Sequence, residues 1–305
     1  MAVNNISGIQ YQPQIIKAGK TSLIHLSHPT DSVSFSGNSQ LKGLEKTKVK
    51  LQRIAFNWFD HINNKLNEKV MALVSKTERQ RIYPLGKEQA KSYCALTGAE
   101  LVSPINLRSK ADNSQITGYV VIRKLKPDID YTKQASLSLN GTLINAIIQD
   151  RVKQTKKGDS TLAKVLGYPK GHCQITENSA LIEVLDNYGI PIGTHFLDIN
   201  KDGIISKGVR NYEPDSIAGV GRILNDVKSL SAYLNRSKRV SMPSTDKSKG
   251  FHIKCGYRPD PIKKPCGAGD WMHLPEEQLA QIIEKYKDSE LYTGLMTALT
   301  NLGLI

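Results

Sequence analysis

Side-chain oxygens crowd into one stretch, FLDINKDGIIS, where Asp198, Asn200 and Asp202 alternate and Gly203 and Ser206 come next. Alternate residues of a tightly turned loop can converge on a hard cation, which needs several oxygens at short range. Two carboxylates that close repel each other unless a cation or a basic side chain sits between them. Glu213 and Asp215 lie just downstream and could complete the shell. The pattern predicts a calcium site of Asp198, Asn200, Asp202, Ser206, Glu213 and Asp215. A softer group occupies FHIKCGYRPDPIKKPCGAGDWMH: His252, Cys255, Cys266 and His273. Two thiolates and two imidazoles make a tetrahedral zinc set, and the His-x-x-Cys half has ordinary spacing, whereas the stretch from Cys266 to His273 is longer than usual. A Cys255–Cys266 disulfide or two free thiols are the alternatives.

The first stretch resembles the calcium loop of the EF-hand and dockerin families. That resemblance implies oxygens from Asp198, Asn200, Asp202, the Ile204 carbonyl and Ser206, with Gly203 at the sharp turn. Val209 stands where those loops carry a bidentate carboxylate, and Gly189, Pro191 and Gly193 interrupt any entering helix. Weak binding, roughly 10⁻⁴ to 10⁻³ M, is what such a set implies. An Asx-rich turn after a strand is the rival reading. Phosphatases of the haloacid dehalogenase type also carry Asp-x-Asp-Gly after an apolar strand. Here Asn200 occupies the nucleophile's place, and an amide cannot form an acyl-phosphate.

Nucleophilic cysteine chemistry has less to recommend it. Cys173 adjoins His172, but neighbours on a strand point to opposite faces. Gly219-Val220-Gly221-Arg222 falls inside a helical pattern rather than after a strand, so it is not read as a nucleotide loop.

The 305 residues suffice for a sizeable core, and 39% are hydrophobic. With 42 basic and 28 acidic residues the net charge is +14, which favours an acidic partner or nucleic acid. Four cysteines fit a reducing, cytoplasmic compartment, the N-terminus lacks a Sec-type apolar run, and no 18-residue apolar stretch suggests a membrane span.

Residues 1–43, rich in Ser, Asn, Gln and Gly, read as a disordered arm. Residues 44–79 carry Leu51, Ile54, Trp58, Ile62, Leu66 and Val70 at helical spacing, with Lys46, Lys48, Lys50, Arg53, Lys65 and Lys69 on the polar face. A basic helix with aromatics can lie on anionic lipid; the plainer expectation packs Trp58 and Phe59 into a core. Residues 80–234 read as an α/β core with a strand over Gly118–Leu125 and, around Ala180–Leu185, a helix before the extended IPIGTHFL. A further helix begins near Asp215 or Ser216 as cap. Residues 235–250 read as a basic linker, and residues 251–305 as a Cys/His loop followed by two helices.

The fold class expected is α/β or α+β, a mixed central sheet with a long N-terminal helix and a helical C-terminus. The function expected is a non-enzymatic binding protein with a weak calcium loop. A nucleic-acid-binding protein using Lys46–Lys50 and the NRSKR linker, with zinc, is the first alternative, and a hydrolase the second.

Overall fold

A computed structural model describes residues 43–79, 90–91, 94–95, 98–127, 175–212, 215–267 and 269–305. The N-terminal arm, Glu213 and the His172–Cys173 pair lie outside the described residues.

The centre is a nine-stranded mixed sheet in the order β6-β1-β2-β3-β4-β5-β7-β9-β8. Its strands are β1 (Glu100–Ser109), β2 (Gln115–Lys124), β3 (Ser179–Leu185), β4 (Pro191–Asn200), β5 (Gly203–Asn211), β6 (Ile217–Ala218), β7 (Val240–Ser244), β8 (Arg258–Pro259) and β9 (Asp270–His273). The described helices are α1 (Gly43–Arg79), α2 (Val220–Leu234), α3 (Asp246–Lys254), α4 (Glu276–Tyr286) and α5 (Glu290–Asn301). Helices and strands are thus segregated around a largely antiparallel sheet, an α+β fold. None of the described helices is long and apolar enough to cross a membrane.

SALIEVL is strand, not the expected helix. All seven residues of β3 are buried, and so are nine of the ten in β4. A run apolar on both sides fits a central strand covered on two faces, and periodicity cannot separate it from a buried helix. On one face Val120, Ile122, Ile182, Leu197 and Ile204 pack against Val220, Leu224 and Val227 of α2 and Leu295 and Leu299 of α5. On the other, Tyr119, Val121, Leu181, Leu185 and Phe196 gather with Ala90 and Cys94.

Residues 235–250 are likewise no linker. Val240–Ser244 form β7, and Thr245 caps α3 by accepting from the Ser248 amide.

Candidate functional site

The oxygen-rich stretch is a tight hairpin. Asn200 pairs with Gly203 and Asp198 with Ile205, so only Lys201 and Asp202 form the turn. The extended strand spaces Asp198 and Asn200 along one face, the turn carries Asp202 past the strand end, and alternation turns Ser206 to the opposite face. Asp198 is buried, accepts from Ser179 Oγ at 2.6 Å, and lies 2.6 Å from Lys207 Nζ. Asn200 accepts from the Asn178 amide at 2.6 Å. Asp202 projects into solvent near Lys238. Ser206 faces the other side of the sheet, with its hydroxyl 2.7 Å from His195 Nε2. Asp215 is exposed before β6. The cation beside Asp198 is a lysine.

That lysine marks an irregularity. Phe196 faces Gly208 while Leu197 faces Ser206, so Lys207 is an extra residue, a β-bulge in β5. A bulge bends its strand and increases the twist. Beyond this point β5 parts from its parallel neighbour. Ile204 pairs with Val240 and Ile205 with Ser241, and the ladder between β5 and β7 goes no further. The buried Asp198–Lys207 pair therefore holds the kink at which two parallel strands diverge.

Helix α2 lies between those strands in the chain, and its first turn rests on β4 beside the carboxyl end of β5. Gly193 of β4 lies opposite Asn211, the last residue of β5; a Cβ there would overlap Val220 and come within 3.1 Å of Leu224. Glycine is what lets the helix start sit on the strand. Gly219 is the N-cap at φ 92°, a left-handed conformation that glycine adopts without steric cost. The Gly-x-Gly-Arg run, expected inside a helix, thus comes after a short strand, β6, and opens a helix. No side chain caps this N-terminus and no acid stands in its first turn, whereas Arg222 does. By contrast α3 and α5 have Thr245 and Ser289 as side-chain caps, and Asp246, Glu276 and Glu290 sit in the first turns of α3, α4 and α5. A cation at the positive end of a helix dipole costs stability unless an anion offsets it.

Facing α2 across this gap is α3; a Cβ at Gly221 would come within 3.2 Å of the Phe251 ring. One turn along, Asn225 is 4% exposed, and neither its amide nitrogen nor its oxygen has a hydrogen-bond partner. Beside Arg222, a cavity of about 180 Å³ is lined by Arg222, Asp226, Lys254, Cys255, Gln278 and Lys285. Lys285 Nζ and Tyr286 Oη both reach Asp226 Oδ2, at 3.3 and 2.8 Å.

Deeper in, Lys228 is fully buried, 3.2 Å from Met242 Sδ and 4.5 Å from the centre of the Tyr257 ring. Burial brings its ammonium down to about 7. Burial, with the nearby Lys228 charge, holds His252 down at about 3, and its Nδ1 has no partner. An imidazole beside an ammonium is a poor place for a second cation. The expected zinc ligands are accordingly not gathered: His252 lies inside α3, Cys255 caps it beside Arg222, Cys266 bonds within its own turn to Gly269, and His273 ends β9. Cys255 and Cys266 form no disulfide. No cluster of three or more His, Cys, Asp or Glu suited to a metal occurs among the described residues. Burial pushes the Cys94 thiol up to about 12 and raises that of Cys255, the opposite of what activates a thiol nucleophile.

No family profile matches the sequence, and no curated protein resembles it. Among solved structures, the catalytic domain of Tetrahymena GCN5 histone acetyltransferase in complex with coenzyme A matches at 13% identity. The match covers 51% of this chain and 92% of that one, with a TM-score of 0.33. A GNAT-family acetyltransferase from Staphylococcus aureus matches at 12%, over 51% and 98%, with a TM-score of 0.32. A cAMP-binding acyltransferase from Mycobacterium smegmatis matches at 12%, over 70% and 60%, with a TM-score of 0.33. Overlaps this loose stop short of a common fold, and the chain's own residues must decide its chemistry. The expected non-enzymatic calcium-binding protein is withdrawn on the chain's own geometry: its loop is a two-residue hairpin turn, and the buried Asp198 is already paired with Lys207.

Proposed function

We propose that this chain is an acyl-transferring enzyme whose donor is a phosphate-bearing thioester of the acyl-coenzyme A class. The observation that carries the reading is the α2 N-terminus: glycine-capped, free of acids, bearing Arg222, and seated on β4 at the carboxyl end of β5, where β5 no longer pairs with β7. Amide groups of a first helical turn have no intrahelical partner and point at an anion. In mostly parallel sheets ligands sit in the crevice beyond the carboxyl ends of the strands; β5 and β7 are the one parallel pair among the described strands, and they offer that kind of opening locally. A donor with phosphates at one end and an extended, amide-bearing arm suits both features. Its phosphates would meet the Gly219–Arg222 turn and the cationic cavity beside it, where three cations face one carboxylate. Its arm would run between β5 and β7, which no longer bond to each other there. In the transfer an acceptor nucleophile adds to the thioester carbonyl, the carbon–sulfur bond breaks and the thiol leaves. The net charge of +14 favours an anionic acceptor, an acidic protein or a nucleic acid.

Titration calorimetry with coenzyme A and with pantetheine, which lacks the phosphates, tests the donor site. Coenzyme A is expected to bind and pantetheine not to, and Arg222→Glu should weaken coenzyme A about tenfold or more, the equivalent of ~1.4 kcal/mol. Equal affinity for the two, or no heat from either at millimolar concentration, would count against the reading.

A further inference from the structure

Helix α1 is apolar on two opposite sides. One side is anchored: Phe56 is buried, Arg53 reaches Asp270 at 2.8 Å and Asp246 at 3.6 Å, and the Asn57 amide donates to Asp246 at 3.3 Å. At 100° per residue, Leu44, Leu51, Ile54, Trp58 and Ile62 fall on the opposite side. These five are all exposed, Leu51 at 63%, Trp58 at 68% and Leu44 at 90%. The core packing expected for Trp58 is therefore overturned: Phe56 takes the buried position, and Trp58 lies half a turn away. Side chains this large are scattered singly on ordinary surfaces; a row of five on one helix face marks an interaction site.

We propose that this outward face of α1 docks on an anionic lipid surface. The flanks decide the occupant. Lys48, Lys50 and Lys65 border the stripe and are exposed, and no Asp or Glu shares this half of the helix between Leu44 and Lys65. A second copy laid against the stripe would bring lysine rows together, where a helix pair needs opposite charges beside its seam. An anionic bilayer meets both requirements, since lysines reach the headgroups while Trp, Leu and Ile enter the boundary with the acyl chains. Each lysine close to such a surface adds to the attraction, so the three together convert weak apolar adsorption into stable association. This inference is independent of the donor site.

Co-sedimentation of the full chain with vesicles tests it, comparing neutral phosphatidylcholine with the same lipid carrying phosphatidylglycerol. At low salt the anionic vesicles are expected to retain about tenfold more protein or better, an advantage that falls steeply as salt screens the surface. Leu51→Glu with Trp58→Glu should abolish retention, and because both side chains are exposed the melting temperature should hold. Lys48→Glu combined with Lys50→Glu and Lys65→Glu leaves the apolar row intact and should remove the preference for anionic lipid alone. Equal retention by both vesicles overturns the proposal. So does a dimer that the Leu51/Trp58 pair of changes dissolves with no vesicle binding in the parent chain, which would make a second copy the occupant.

Discussion

Two short stretches of this chain invite comparison, the Asp198–Ser206 hairpin and the Gly219–Arg222 turn. The hairpin has the residue types of an ion site, yet each of its four polar side chains serves a different neighbour: Lys207, Asn178, Lys238 and His195. The turn has almost no polar side chains, yet backbone geometry makes it the more open to an anion. What separates them is where the charge resides. In the hairpin it sits on side chains that an extended strand spaces out and divides between two faces; at the helix start it sits on amides that the helix aligns. Oxygen content in a sequence says little about convergence until the register of the strands is known.

The largest effect expected from breaking this comparison is at Asp198. Asp198→Ala would leave Lys207 buried without its carboxylate, and stranding one partner of a buried pair costs about 3–5 kcal/mol. Chemical denaturation should register a loss of that order. Because the pair holds the bulge, the variant should also weaken coenzyme A binding. Millimolar calcium should leave the parent's heating curve unmoved. A calcium-dependent rise in melting temperature that Asp198→Ala removes would restore the ion site and undo the comparison.

Gly193→Ala sharpens the other half. The added methyl overlaps Val220, so the first turn of α2 must lift from β4. Overpacking of this kind costs about 1–3 kcal/mol. The donor site should suffer more than the fold, because the displaced turn carries the amides; coenzyme A affinity should fall at a temperature where circular dichroism is unchanged. A variant that loses stability but binds normally would detach the helix start from the ligand.

How far the sequence discloses this depends on which signals are local. The mixed α and β content is legible, and so are β2 in GYVVIRKL and β4 in IPIGTHFL, because β-branched alternation and glycine punctuation act within a few residues. β3 passes for a helix, since SALIEVL is buried on both faces and shows no period to arbitrate. The Gly219–Arg222 turn looks unremarkable in sequence because the two residues of β6, which place it after a strand, are paired only through distant β1. Lys207 as the partner of Asp198 depends on a one-residue bulge, and nothing in KGVRN announces one. Trp58 invites placement on the wrong side of α1 because an apolar residue at helical spacing does not reveal which of two apolar faces the core will claim. Residues 235–250 resemble a linker for their Ser, Lys and Arg, although VSMPS makes a strand buried in all but one position.

The smallest effect separates a chelating carboxylate from an ornamental one. Asp202 is the most exposed of the four expected ligands, its side chain 95% accessible and 3.4 Å from a Lys238 that is itself 79% accessible. Solvated pairs of this type contribute between about 0 and 1 kcal/mol, and salt screens them. Asp202→Ala should therefore move stability by no more than about 0.5 kcal/mol, as for surface changes generally. The remaining turn keeps its shape, because Gly203 still supplies the positive φ of 156° and Ile204 still donates its amide to the Arg239 carbonyl. Set beside Asp198→Ala, the pair of results discriminates sharply. Two ligands of one ion should lose comparable amounts and lose them together; a clamp and a surface turn should differ several-fold and add. Measuring both single variants and the double by urea denaturation makes that distinction, and strict additivity between them would place the two aspartates in separate interactions.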